Sequence, residues 1–130
     1  MTISPLSPTA VAASIADAVR KGEVTARAVT EAALARIEKH NSALGAFTDV
    51  TASRALATAD LVDARKAAGG DPGPLAGVPF SAKNLFDVAG ITTRAGSKIN
   101  RDNPPATADA TLVAKMEAAG AILVGAVNMG

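Results

Sequence analysis

The run Ala121-Ile122-Leu123-Val124-Gly125-Ala126-Val127 most constrains what this chain can fold into. A strand wet on one face alternates apolar and polar residues. A run without that alternation belongs to a strand covered on both faces, the usual situation in a parallel sheet. A second, shorter apolar strand is predicted from Val78 to Ala82. Between the two, Leu112, Val113, Met116 and Ala119 make the apolar stripe of a helix, with Asp109 as its N-cap and Gly120 as its stop. Strand, connection, helix and strand over Val78 to Val127 therefore read as one right-handed βαβ unit. The long stretch from Asp87 to Ala108 inside it carries turn and extended signals, and irregular stretches of that length are usually functional.

The period upstream is helical. Ser7 and Pro8 are expected to cap and open a first helix whose inner face is Val11, Ile15 and Val19, ending at Gly22. Thr25 opens a second, with Val29, Ala32, Ala33 and Ile37 inward, expected to end near His40-Asn41. Leu44 to Val50 reads as a short strand around Phe47. A third helix starts after Thr51, buries Ala55, Leu56, Ala59 and Val62, and closes at Gly69-Gly70. Gly69 to Pro74 is the clearest boundary, so residues 1–72 are expected to be mainly helical and 73–130 to form the βαβ segment.

Composition narrows the function. The chain has 130 residues, 48% of them hydrophobic, enough for a buried core. Thirteen basic and 12 acidic residues are spread without blocks, and the formal net charge of +1 offers no footprint for nucleic acid or an anionic membrane. Aromatics are 2% with no Trp or Tyr, so there is no base-stacking platform. Cysteine is absent, which excludes disulfides and thiolate metal sites and is compatible with a reducing compartment. No basic stretch leads into an apolar run at the N-terminus, and Ala118 to Val127 is too short to span a bilayer, so a cytoplasmic location is expected. His40 is the only histidine and reads as a surface residue near a helix C-terminus. One histidine without clustered carboxylates makes no metal site.

Lys83 is the candidate reactive residue. It stands where the first apolar strand ends, and Phe80, Ala82, Leu85, Phe86 and Val88 flank it. Such a lysine either snorkels to the surface or is held in a dry pocket, where desolvation favours the neutral amine that a general base or a Schiff base needs. Ser81 shares its side of the strand, but residues two apart on a strand stand beyond hydrogen-bond reach.

The run from Pro74 through Asn84 resembles the lysine segment of the amidase signature family. The resemblance continues through Gly90-Ile91-Thr92-Thr93-Arg94-Ala95-Gly96-Ser97-Lys98, Pro104 to Ala110, and Gly120 to Met129, with a weaker likeness at Gly22 to Thr25 and Ala33 to Ile37. Within the family, Lys83-Asn84 and the run Ala95 to Asn100 look most like the carboxybiuret hydrolases. Many other members, the A subunits of glutamyl-tRNA amidotransferases among them, carry Asp after this lysine. The resemblance implies an α/β fold, with N-terminal helices packed on the start of a mixed, mainly parallel sheet. It implies hydrolysis of a C–N bond in a small amide or urea-like substrate, with no cofactor. Lys83 would be the catalytic base, working with two serines, one preceded by a cis peptide, from a Gly/Ser-rich segment. These 130 residues hold no such segment, which places the serines beyond Gly130 and implies that the chain by itself is inactive. Asn128 and Met129 are expected at the pocket wall, near the sheet edge that carries Lys83. A small accessory subunit on the helical region and a homo-oligomer are the partners implied.

Three other readings stand beside this one. The chain could be part of the A subunit of a tRNA-dependent amidotransferase, a structural or partner-binding module, or a Schiff-base enzyme that borohydride would trap on a carbonyl substrate. Taken alone, the strand Ala121 to Val127 is also expected to present an open edge.

Overall fold

The computed structural model describes residues 3–129. The elements follow the order α1 (Ala12–Lys21), α2 (Ala26–Leu44), β1 (Phe47–Val50), α3 (Ala52–Ala67), β2 (Pro79–Lys83), a 3-10 turn (Lys98–Asn100), α4 (Thr111–Ala118) and β3 (Ile122–Val127). The three strands make one mixed sheet in the order β1-β3-β2. β2 and β3 run parallel with α4 between them in sequence, and β1 joins the other side of β3 antiparallel. The α/β class and the mixed sheet agree with the expectation from sequence.

β3 occupies the middle, so the expected open edge on Ala121 to Val127 does not exist. The N-terminal half supplies the missing neighbour, and the open edges belong to β1 and β2. Ile122, Leu123, Val124, Gly125 and Ala126 are all buried. Ile122 and Val124 pack into a core with Val19, Val29, Ala55 and Val62 from the first three helices. Leu123 points into a smaller core with Ala82, Val88 and Val113. Burial on both faces is what the unbroken apolar run required.

Both ladders slip by one residue in the middle: between Phe47 and Asp49 on β1, and between Phe80 and Ser81 on β2. Gly125 lies at these slips. A Cβ there would stand 2.4 Å from the Asp49 carbonyl oxygen and 2.6 Å from the Phe47 ring, so only glycine lets β1 approach.

Several boundaries differ from the sequence reading. α1 starts at Ala12 with Val11 at its N-cap, because the Ser7 hydroxyl accepts from the Thr9 N–H two residues on and closes a local turn. α2 runs on to Leu44. Asn41 stays helical and uses its side chain to accept from the Phe47 N–H at 2.8 Å, so the chain reverses only at Gly45, which adopts φ 61. Thr51 does stand at the N-cap of α3, but its hydroxyl donates to the Leu123 carbonyl at 2.7 Å and ties the helix to β3. Asp63 on α3 accepts from the N–H groups of Ala26 and Arg27 at 2.7 and 3.1 Å, capping α2 from the neighbouring helix.

Asp109 does not cap α4, whose N-cap is Ala110. Its carboxylate instead takes both arms of Arg54 at 2.9 Å each and the Ala89 N–H at 2.8 Å. The same guanidinium also reaches Glu117. One arginine on α3 thus joins α4 and the start of the irregular segment, with all three side chains three-quarters or more buried. The hydrogen bonds from Arg54, helped by Ala89, hold the Asp109 carboxyl below the usual carboxylate range. Hydrogen bonds to Asp109 and then Glu117 hold the guanidinium above its own.

Arg54→Met leaves two neighbouring carboxylates without their donor and is expected to lower stability by about 2 kcal/mol at neutral pH. The Asp109 share of that stability is present above its unfolded pKa of about 3.9 and is lost as pH falls through the lower folded value. Urea midpoints measured from about pH 7 down to about pH 2 should therefore show the two proteins converging at the acid end. A constant gap across that range would show that Arg54 acts through packing alone.

Candidate active site

Lys83 is the last residue of β2, and its Cα pairs with that of Val127. The ladder continues one step further, since the Asn84 N–H donates to the Val127 carbonyl at 2.8 Å. The backbone around the lysine is therefore fixed on the side facing β3. Its other side is the open edge of the sheet, and Lys83 is exposed there beside the apolar flanks named from the sequence. Those flanks form one wall only: Lys83 and Ser81 line a cavity of about 340 Å³ with Phe80, Phe86, Val113 and Met116. Among the described residues no ion pair involves Lys83. The nearby Asp87 carboxylate accepts from the Thr93 hydroxyl.

The residue that organises this end of the sheet is Asn84, only 2% exposed. Its side-chain carbonyl accepts from the Arg94 N–H at 2.6 Å, and its side-chain amide donates to the Thr48 hydroxyl at 2.7 Å. Its backbone carbonyl accepts from the Ala95 N–H at 2.8 Å. One asparagine thus links the lysine strand, β1 and the turn at Arg94 to Gly96, where Ala95 and Gly96 both adopt positive φ. Sequence reasoning used this residue only as part of a motif. A signal was present, because Asn84 continues the buried parity of Ala82, and a polar residue at a buried position demands partners.

Asn128 and Met129 follow directly after β3. The Asn128 N–H donates to the Ala46 carbonyl at 2.8 Å and its side-chain amide to the Gly45 carbonyl, so it ties the end of β3 to the α2–β1 turn. Met129 is 37% exposed and lies against Gly96. Both line a second cavity of about 340 Å³, shared with Asn84, Thr48 and Arg94. Lys83 lines the first cavity, and Asn128 and Met129 line the second together with Asn84. His40 is exposed on α2, and among the described residues no group of three His, Cys, Asp or Glu side chains could hold a metal ion. No described helix is long and apolar enough to cross a membrane.

The Asn84 amide also lies 3.4 Å from Asp49 Oδ2. Asn84→Asp would set two carboxylates against each other and is expected to destabilise the fold by about 2 kcal/mol at neutral pH. Asp49→Asn should recover most of that loss in the double variant. A denaturant double-mutant cycle measures the coupling, and purely additive losses would show that the two side chains do not meet.

With the geometry in place, comparison with known proteins is direct. The amidase family model matches residues 28–130. The AtzE subunit of the 1-carboxybiuret hydrolase of Pseudomonas sp. (strain ADP) is 51% identical over 115 residues, covering 88% of this chain and 25% of that protein. The A subunit of the glutamyl-tRNA(Gln) amidotransferase of Alkalilimnicola ehrlichii is 46% identical over 90% of this chain and 24% of its own length. The chain thus spans about a quarter of the curated relatives it matches. Among solved structures, an inhibitor-bound vestigial protein complex bearing on the origins of an s-triazine catabolic enzyme superposes with a TM-score of 0.90 at 49% identity, over 93% of this chain and 26% of that one. A bacterial aryl acylamidase of the amidase signature enzymes gives 0.86 at 28% identity, over 96% of this chain and 26% of that one. The chain belongs to the amidase signature family.

Proposed function

We propose that this chain is the N-terminal part of an amidohydrolase domain and supplies its general base, Lys83. The observation that carries the reading is the position of Lys83: a strand-end lysine with a fixed backbone, its side chain free at a sheet edge over an apolar cavity. Membership of the amidase family supports the chemistry. The serine nucleophile and the serine that relays its proton lie outside these 130 residues. In the reaction, Lys83 accepts the nucleophile's proton through the relay serine as the nucleophile attacks the carbonyl carbon. The C–N bond then breaks, and the same proton passes to the leaving nitrogen. Water releases the acyl group by the same route in reverse, a Ser–Lys relative of the familiar triad.

The substrate class proposed is a small amide or urea-like compound of the carboxybiuret type. The 51% identity to a carboxybiuret hydrolase subunit favours it. Both named relatives are subunits. A partner protein on the helical side is supported by the exposed Leu44, Val50 and Leu61 and by a cavity lined by Leu34, Ile37, Val50 and Ala52.

The test uses the full-length protein with biuret-type and simple amide substrates, reading ammonia release. Lys83→Ala and Lys83→Arg are each expected to lower turnover by at least about 10³-fold. Both should leave the thermal midpoint unchanged, since the side chain is exposed. Arginine keeps its proton in a protein and cannot be the base. A Lys83→Arg protein with turnover within about tenfold of the parent would rule out the general-base role.

A further inference from the structure

The cavity that Lys83 lines has two walls of different origin. Phe80 and Phe86 come from β2 and the turn after it, and Leu112, Val113 and Met116 from α4. The room left for the lysine side chain is therefore set by how far α4 stands from the chain leaving β2. That exit is pinned step by step. The Phe86 N–H donates to the Lys83 carbonyl at 3.0 Å and closes a turn. Val88, 1% exposed, is buried with Ala82 and Val113. The Asp87 carbonyl accepts from the Ala110 N–H at 2.8 Å. The Ala89 N–H donates to Asp109 Oδ1 at 2.8 Å, across 20 residues of sequence. Asp109 directly precedes Ala110, the N-cap of α4. The residue that leads into one wall thus holds the other by its side chain.

Arg54 takes both oxygens of the same carboxylate and also reaches Glu117. Those bonds tie α3 to α4 and do not touch the exit from β2. One carboxylate therefore has two roles that substitution can separate. The guanidinium fork joins helices, and the bond from Ala89 fixes the gap beside the lysine. A hydrogen bond to an ionised carboxylate is roughly twice as strong as one between neutral groups, which suits it to hold a spacing. Spacing matters at a base, because a misplacement of about 1 Å can cost about 10²-fold in rate. We propose that Asp109 is a positioning residue for Lys83, its bond to the Ala89 N–H setting the distance between the two walls of the lysine cavity. The kinetic part rests on the amidohydrolase reading, and the spacing does not.

The test uses the full-length protein with biuret-type and simple amide substrates, assayed below the thermal midpoint of every variant. Asp109→Ala removes the acceptor and is expected to lower kcat about 10²-fold with KM unchanged, because a displaced base weakens the transition state and not substrate binding. Arg54→Met keeps the carboxylate beside Ala89. It should lower the thermal midpoint yet leave kcat within about threefold of the parent. Asp109→Glu does the reverse: it keeps a carboxylate for Arg54 but carries it one methylene further, so the midpoint holds while kcat falls about tenfold. That variant carries the test where Asp109→Ala folds poorly. Amide hydrogen exchange gives a reading independent of turnover. Phe86 and Ala89 should lose protection in both Asp109 variants and keep it in Arg54→Met. A kcat that follows the thermal midpoint across the variants, or protection at Phe86 and Ala89 that survives the Asp109 substitutions, overturns the positioning role. If the exchange pattern appears while the parent protein hydrolyses no amide, the link at Asp109 stands and the amidohydrolase reading fails.

Discussion

Everything in this structure leans on β3. Its backbone is paired on both edges and its side chains are covered on both faces, so every neighbouring element is positioned by what it must do for that strand. β1 and β2 satisfy its carbonyls and N–H groups. The first three helices cover Ile122 and Val124, and the smaller core with Val113 of α4 covers Leu123. A fully apolar strand cannot tolerate less, because an exposed face or an unpaired backbone group in its middle would lose both burial and hydrogen bonds. Gly125 is the one concession in the run, made so that the Phe47 ring and the Asp49 carbonyl can come close.

The site inherits its rigidity from the end of that strand. Val127 pairs with Lys83 and accepts from Asn84, and Asn128 is tied to the α2–β1 turn immediately beyond. Asn84 then converts a strand terminus into a junction, because its polar groups are engaged with three pieces of chain: β3, β1 and the turn at Arg94 and Ala95. At Lys83 the backbone is held by hydrogen bonds to β3 while the side chain is exposed at the open edge of the sheet. On the other side of Asn84 the chain turns through two positive-φ residues and brings three cations to one cavity. Two cavities of different character lie at this end of the sheet, one mostly apolar at Lys83 and one basic at Asn84.

Electrostatics divide the molecule in a similar way. Arg54, Asp109 and Glu117 form a satisfied, largely buried network joining α3 to α4 and to the segment after Asn84. The network holds the fold together; among the described residues Arg94, Lys98 and Arg101 have no carboxylate partner.

The sequence by itself determined the parallel β2–α4–β3 unit, since a run without alternation has to be buried on both faces and a strand–helix–strand order makes adjacent strands parallel. It also singled out Lys83 as a candidate at a strand end, and β2 does end there, with the lysine exposed. It did not determine where β1 goes. Phe47 to Val50 carries no local sign of its partner, and only the assembled core decides that it flanks β3 and removes the edge expected there. Nor did it decide the ends of α1 and α2 or the role of Asp109. Ser7 closes a local turn with Thr9, Asn41 bonds to Phe47 just beyond the helix end, and Asp109 is taken by Arg54, 55 residues away in sequence. The link from Asn84 to Thr48 and Arg94 joins residues far apart in sequence, so it exists only once β1 and the turn have been brought to the same end of the sheet.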